Sequence, residues 1–545
     1  MEGVHTTDKS FANVRERVAA AAVSAPVLDE RPTKYADRIG SEVVGHKSAA
    51  YRKQIGMYLT PVEVADFIAA EYQNSAPTVR ILDPAAGSGT LVCALVEALA
   101  RRSEGNGLRC VEIVAYEIDL ELVETLRVVI GYLQHWAARR NISLQTTIKN
   151  QDFLLENART LRSTGDLFYK RKETLFDLVV ANPPYFKLPK SDSRRQPATP
   201  VIHGRPNIYA LFMAASAALL REGGELAFII PRSFTAGRYF RLFREKFFAN
   251  VRLIAVHIFN SRRDTFGRDD VLQENVIVRG LRNDGWYKSS EYATLVISNS
   301  HGLADLNSPI RRSMPLTDAL DMASTDRVLR LPILESEDEA VRLVDSWPAS
   351  LHEHGLNIST GPVVPFRATN FLDIANLPKS ALAPLIWMHH VHAMRVHWPN
   401  DARKPQYIKR DAAERSLLVP NRNYVVLRRF SAKEELRRLV AAPWIRGATS
   451  SQFLGLENHL NYIHRPGGEL EDDEAWGLAA LLNSALLDTY FRVSSGNTQV
   501  SATELRRMPL PRRNVLLSIG RHAKALGDSY SEIDDIVGDA LGIPR

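Results

Sequence analysis

The sequence predicts a doubly wound α/β domain with a mostly parallel sheet, followed by an irregular α+β domain. Between about residues 46 and 300, short apolar runs alternate with amphipathic stretches of helical period. That alternation is the pattern of a parallel sheet with helices on both faces. The residues able to do chemistry fall at the ends of the apolar runs, where open α/β sheets hold their ligands. Past about residue 300 the periodicity weakens into short strand-like pieces and basic turns, such as YVVLRRFSAKEELRRLV (424–440) and GLENHLNYIHR (455–465).

The elements follow in order. Residues 1–45 read as a polar, Ala-rich leader, and MEGVHTTDKSF lacks the basic-then-apolar layout of a signal peptide. In YLTPVEVADFIA (58–69), Thr60 as N-cap, Pro61 at the first helical position and Glu63 at the third compose a capping box. VRILDP (79–84) is a strand, TLVCALVEALARR (90–102) a helix and VEIVAYEID (111–119) a second strand. LELVETLRVVIGYL is the next helix, then SLQTTIKNQDFL and FDLVVANPPYFK supply strands. NIYALFMAASAALL (207–220) is helical and GELAFIIP (224–231) is a buried strand. The loop 186–206 is polar, basic and proline-bearing, and is expected to stay mobile until something binds. The expected division is therefore 1–45, 46–300 and 301–545.

Composition bounds the function. The chain has 545 residues, 45% hydrophobic and 24% charged, enough for two large cores. No run of about 18 apolar residues appears, which argues against a membrane span. The two cysteines, Cys93 and Cys110, sit in apolar surroundings. They argue against disulfide scaffolding and thiolate metal sites and fit a reducing cytoplasm. The histidines of MHHVHAMRVHW (388–398) match no standard ligand spacing, so no metal is expected. The net charge of +7 suits a polyanionic partner without demanding one.

ILDPAAGSGTL (81–91) places Asp83 at a strand end, then a turn with Gly87 and Gly89, then a helix. Glycines let a ligand approach the backbone closely. An acid ahead of them repels a pyrophosphate but suits an ammonium group, and no Gly-Lys-Ser/Thr follows to make a phosphate loop. Glu117 ends the next strand, where such sheets place an acid for ribose hydroxyls, and Asp152 ends a third. One strand-end acid is ordinary surface. Three in register beside a Gly turn fit an adenosine ligand bearing an amino group, which is S-adenosylmethionine.

Asn182-Pro183-Pro184-Tyr185 then ends the strand that begins at Phe176. The nitrogen of an aromatic amine is a poor nucleophile because its lone pair is delocalised into the ring. The Asn182 oxygen and the Pro183 carbonyl together accept both N–H bonds, which localises that lone pair. Proline rigidity fixes their direction, and Tyr185 offers a flat face whose area matters more than its hydroxyl. Such a clamp works by positioning and differential hydrogen bonding.

DPAAGSG, the acid of AYEID, QDF and NPPY resemble the motifs of DNA adenine-N6 methyltransferases. Their order, with QIGMYLTP ahead of DPAAGSG and the recognition region last, resembles the gamma class typified by the TaqI enzyme. STGPVVPFR (359–367), NYVVLRRFSAKEELRRL (423–439), GLENHLNYIHR and SSGNTQVSATELRRMPLP (494–511) resemble the PstI/BsuBI-like restriction-modification methylases. The resemblance spans about residues 45–515, with Ala86 standing where relatives often carry Cys. It implies a class I, Rossmann-like methyltransferase domain and a target-recognition domain after it. It assigns Thr60, Pro61, Asp83, Pro84, Ala85, Gly87, Gly89, Glu117, Asp152, Phe153 and Asn182 to the cofactor site. Asn182 to Tyr185 would hold a flipped adenine, with a second aromatic over the base: Phe266, with Phe259 as the competing choice. The implied partner is double-stranded DNA, and a separately encoded cognate restriction endonuclease fits the family. Arg428, Arg429, Lys433, Asn497 and Gln499 are the residues expected at DNA, with Arg437 and Arg438 also in reach of phosphates.

The same clamp serves RNA and protein-glutamine methyltransferases, but a large C-terminal domain with basic turns favours DNA. A catalytically silent DNA-binding protein is disfavoured because every motif residue is intact, and 45 leading residues are too few for a fused nuclease.

Overall fold

The computed structural model describes residues 24–543, apart from 73–75, 103–106, 163–174, 202–203, 205–206, 261–273, 289–292, 375–376, 401–402, 432–434, 496–498 and 527–529. It divides into two compact units, Met1–Ile333 and Leu334–Arg545.

The first unit is built on nine strands: β1 (Thr78–Asp83), β2 (Cys110–Tyr116), β3 (Ser143–Lys149), β4 (Phe176–Ala181), β5 (Leu220–Pro231), β6 (Val251–Phe259), β7 (Asn275–Arg282), β8 (Thr294–Ser300) and β9 (Ile310–Pro315). Their order in the sheet is β3-β2-β1-β4-β5-β7-β6-β8-β9. The first five neighbours run parallel. β7 enters antiparallel between β5 and β6, and β9 is antiparallel to β8. This is the mostly parallel, doubly wound sheet that the alternation predicts. The chain order reverses between β1 and β4, which makes their carboxyl ends the switch point of the sheet.

The central strands read as nearly unbroken apolar runs because both faces are covered. Leu82, Val179, Ala181 and Phe228 face one core, with Leu211 and Phe212 of the helix Ile208–Leu219. Ile81, Leu178, Val180 and Ile229 face the other, with Val92, Leu95 and Leu99 of the helix Thr90–Arg102.

Two boundaries differ from the expectation. The sheet does not stop at 300: β9 pairs with β8, and Leu316, Leu329 and Leu331 belong to the first core, so the compact unit runs to Ile333. The polar spacing between these leucines hides them from a periodicity argument. The end of the leader is also built in. Tyr35, Ala36 and Ile39 of the helix Pro32–Gly45 join the second core. Buried Glu97 accepts from Thr33 N (2.8 Å), Thr33 Oγ1 (2.7 Å) and Arg31 Nε (2.7 Å).

The second unit is α+β. One sheet orders Asn357–Thr360, Leu460–His464, Tyr424–Arg428 and Ala441–Trp444; the other orders Tyr407–Lys409, Leu382–Ile386, Phe453–Leu456 and Leu418–Pro420. Helices Asp472–Asn483, Ala485–Ser494 and Arg513–Leu526 share a core with the first sheet through Val425, Leu427, Ile463, Leu478, Phe491 and Leu516. Among the described residues no helix is long and apolar enough to cross a membrane. None of their His, Cys, Asp and Glu side chains gather in threes to hold a metal ion.

Candidate active site

Four parallel strand ends stand side by side in the order β3-β2-β1-β4, and each delivers one polar residue: Asp152, Glu117, Asp83 and Asn182. A cavity of about 550 Å³ opens over them, lined among others by Pro84, Ala85, Gly87, Glu117, Asp152, Phe153 and Asn182.

Asp83 is fully buried. Its Oδ1 accepts from Ala85 N (3.1 Å), while its Oδ2 has no partner. Burial pushes its carboxyl up to about 8, with the Ala85 bond pulling the other way. The turn after it holds Gly87 and Gly89 at φ of +55° and +89°, the left-handed region that favours glycine. Gly87 N donates to Glu117 Oε2 (3.0 Å), and Ile118 N and Asp119 N donate to Glu117 Oε1 (2.8 Å each). Burial also raises the Glu117 carboxyl, against those backbone bonds. Phe153 is buried and stacks on Phe212 at 5.4 Å, closing the floor of the cavity.

Asp152 is already engaged. Its Oδ1 caps the turn Phe153–Glu156 by accepting from Leu155 N (3.0 Å), and Arg194 Nη1 reaches its Oδ2 at 3.3 Å. Arg194 comes from the loop 186–206, where it also pairs with Asp192 at 2.6 Å. The described part of this loop thus lies against the cavity, which Phe186, Lys187, Pro189, Asp192 and Arg194 help to line.

The Asn182 amide is oriented by protein donors and acceptors. Its Nδ2 donates to Tyr58 O (3.1 Å) and to Thr60 Oγ1 (3.2 Å). Its Oδ1 therefore points away from Tyr58, and accepts from the Tyr185 hydroxyl. That hydroxyl has one proton and a second acceptor in reach, Ile229 O at 2.9 Å. Tyr185 is 8% exposed and its ring faces Tyr58 at 5.8 Å between centroids, with 19° between planes. So the hydroxyl is part of the arrangement, and the ring is less open than the sequence suggests.

Thr60 is not the N-cap of the following helix. The helix is Val62–Ala70, Pro61 occupies the cap without a side-chain bond, and the Thr60 hydroxyl serves Asn182 instead. Gly56 explains how this segment comes so close: an added Cβ would lie 2.8 Å from Pro184 Cβ and 2.9 Å from Tyr185 N. Sequence reasoning missed Tyr58, Gln54 and Ile55 at the cavity, although QIGMYLTP was singled out. Their signal was the glycine, not the polar residues after it. It also missed Arg194, whose partner lies 42 positions away.

Pro183 and Gly89 are buried beside the cavity's lining residues. Phe259 is a core residue, 2% exposed, packed edge-on to His257. Phe266 lies outside the described residues, as do Lys433 and Asn497. In the second unit Arg428 Nε donates to Val391 O (2.6 Å) and Arg429 Nη1 to Asn458 O (3.1 Å). The Gln499 amide, oxygen turned inward, accepts from the Arg429 guanidinium. Arg438 is buried, with its Nε on Ser431 Oγ (2.9 Å), and Arg437 pairs with Asp534 (2.8 Å). These two arginines serve the fold rather than an open face.

Comparison with known proteins agrees with this geometry. Residues 111–266 match the Eco57I restriction-modification methylase family. The type II methyltransferase M.PstI of Providencia stuartii is 30% identical over 491 residues, covering 90% of this chain and 93% of its own. M.BsuBI of Bacillus subtilis is 31% identical over 476 residues, 86% and 90% of the two chains. Similarity of that extent runs through both compact units, and three of the four strand-end residues, Glu117, Asp152 and Asn182, lie within the residues that match the family. The chain belongs to the type II methyltransferases of restriction-modification systems.

Proposed function

We propose that this protein transfers a methyl group from S-adenosylmethionine to the N6 amino group of an adenine flipped out of duplex DNA. The observation that carries the reading is the Asn182 amide, anchored through Nδ2 on Tyr58 O and Thr60 Oγ1 at the rim of the strand-end cavity.

The residues present fit the cofactor. The unpartnered Asp83 Oδ2 is a buried acceptor that an ammonium would satisfy. Glu117, held by three backbone N–H groups, keeps lone pairs for ribose hydroxyls, and Phe153 and Pro84 supply apolar walls. Asp152 meets an adenine amino group only by sharing or exchanging Arg194. When bound, the cofactor supplies an electrophilic methyl group on a sulfonium.

The chain's own part is positioning. Asn182 Oδ1 keeps a lone pair beyond the one facing Tyr185, and with the Pro183 carbonyl accepts both N–H bonds of the target amine. The amine lone pair is thereby localised and aimed, and no general base is needed before transfer. For the Tyr185 ring to stack on the base, Tyr58 turns aside. The target must leave the helix because its amino group is buried in pairing there, at a cost of a few kcal/mol that DNA contacts offset. The second unit, through its local clusters of arginines and lysines between 403 and 446, supplies those contacts and the sequence choice.

The test is to incubate the purified protein with labelled S-adenosylmethionine and duplex DNA, then identify the product nucleoside. N6-methyladenine at one defined sequence is expected. Label in RNA or protein alone, or a methylated cytosine, would overturn the reading.

A further inference from the structure

Segments far apart in the sequence converge on one turn of the second unit, Glu457-Asn458-His459. Strand Tyr424–Arg428 pairs antiparallel with Leu460–His464, and Arg429 N donates to His459 O (2.9 Å). On the other flank Gly361 N donates to Leu460 O (2.9 Å) and Asn458 N to Val363 O (2.9 Å). An added Cβ at Gly361 would lie 2.3 Å from Glu457 O, so only glycine lets the loop that carries Phe366 and Arg367 press so close. Gln499 bridges to Phe430, and Val500 N donates to Arg429 O (2.7 Å).

His459 stands out in this cluster. Its side chain is 48% exposed, while that of Glu457 beneath it is 2% exposed. The His459 Nδ1 is hydrogen-bonded to Glu457 Oε1, and Glu457 Oε2 accepts from His459 N (3.1 Å). The ring also leans on Phe430, 5.3 Å between centroids. Burying a carboxylate is costly unless it is well partnered. The turn does not need the imidazole to hold it, because Glu457 N already donates to Ile386 O (3.0 Å) and Leu460 N to Glu457 O (2.9 Å). What the buried acid achieves is a surface imidazole with one orientation. With Nδ1 turned inward to Glu457, the ring presents Nε2 outward.

We infer that His459 is a specificity-determining residue whose Nε2 contacts a base edge in the major groove of the target duplex. This rests on the DNA-methylating function proposed above. The partner follows from the ring's proton: as an acceptor Nε2 reads the amino group of adenine or cytosine, and as a donor it reads a purine N7, guanine O6 or thymine O4. Arg429 and Arg428 at the end of the flanking strand supply positive charge for the phosphates, and exposed Phe430 supplies apolar contact. A side chain held in place before binding loses little freedom on contact, which favours discrimination.

The experiment maps N6-methyladenine across DNA from cells expressing the full-length wild type, His459→Ala or Glu457→Gln. The wild type is expected to mark one defined sequence. His459→Ala should admit other bases at one position of that sequence, with discrimination there falling about tenfold or more. Glu457→Gln should relax the same position less, because the ring is freed rather than removed. The purified His459→Ala protein should keep its S-adenosylmethionine affinity, its melting temperature and the salt slope of DNA binding, since no phosphate contact is lost. An unchanged motif, or uniform weakening on all sequences, would overturn the inference. If the wild type marks no DNA, the proposed function itself falls, and this inference with it.

Discussion

The two units build their polar clusters in opposite ways. In the first, Asp83, Glu117, Asp152 and Asn182 each close or follow a parallel strand, so the backbone ladder sets them in a row. In the second, the Glu457–His459 turn meets Gly361, Val363, Arg429 and Phe430, and Gln499 and Val500 join through the last two, brought together by single hydrogen bonds and isolated bridges. The first design holds reacting groups still whatever the DNA sequence. The second lets side chains change without disturbing the sheet beneath, as the sequence-choosing role proposed for it requires. Side-chain loss in the first unit should therefore stop chemistry, and in the second should alter choice.

The largest effect expected is on Asn182. Asn182→Ala should lower methyl transfer by about 100-fold or more, in line with loss of one oriented transition-state partner. Single-turnover transfer measures this, with cofactor and duplex titrations showing binding largely intact. If more than about a tenth of the wild-type rate survived, the strand-end row would hold ligands without directing the chemistry.

Next come the acids. Asp83→Ala or Glu117→Ala should each weaken S-adenosylmethionine binding by about 1.5–3 kcal/mol, the range for hydrogen bonds to charged groups. Calorimetry on both variants checks this. Asp83 adds a pH signature whose sign follows from burial. With its carboxyl raised to about 8, it is largely protonated at pH 7 in the free protein. An ammonium beside it favours the ionised form, so binding at pH 7 releases a proton to the buffer. Titrations in buffers of different ionisation enthalpy should detect this release, and Asp83→Asn should abolish it. Proton uptake instead would place the ammonium elsewhere.

The smallest effect belongs to the Tyr185 hydroxyl, which is shared between Asn182 Oδ1 and Ile229 O. Tyr185→Phe should cost about 1 kcal/mol, roughly fivefold in turnover, and Tyr185→Ala considerably more. An unaffected Phe variant would show that Tyr58 and Thr60 alone orient the amide.

The sequence by itself determined the sheet and the row at its ends. Strands buried on both faces must be apolar runs, and a polar residue that closes such a run can sit only at the strand's end. That is why Asp83, Glu117, Asp152 and Asn182 were legible without coordinates. Tertiary structure decided what depends on pairs distant in sequence, which leave no local pattern. Thr60 reads as a helix cap and is instead an anchor for Asn182, 122 positions away. Leu316 and Leu329 read as part of the second domain and are instead core of the first. Arg194, from a loop expected to stay mobile, reaches Asp152, and Glu457 becomes the buried support of an exposed His459. A side-chain hydrogen bond has no period in the sequence, so only the folded chain reveals its partners.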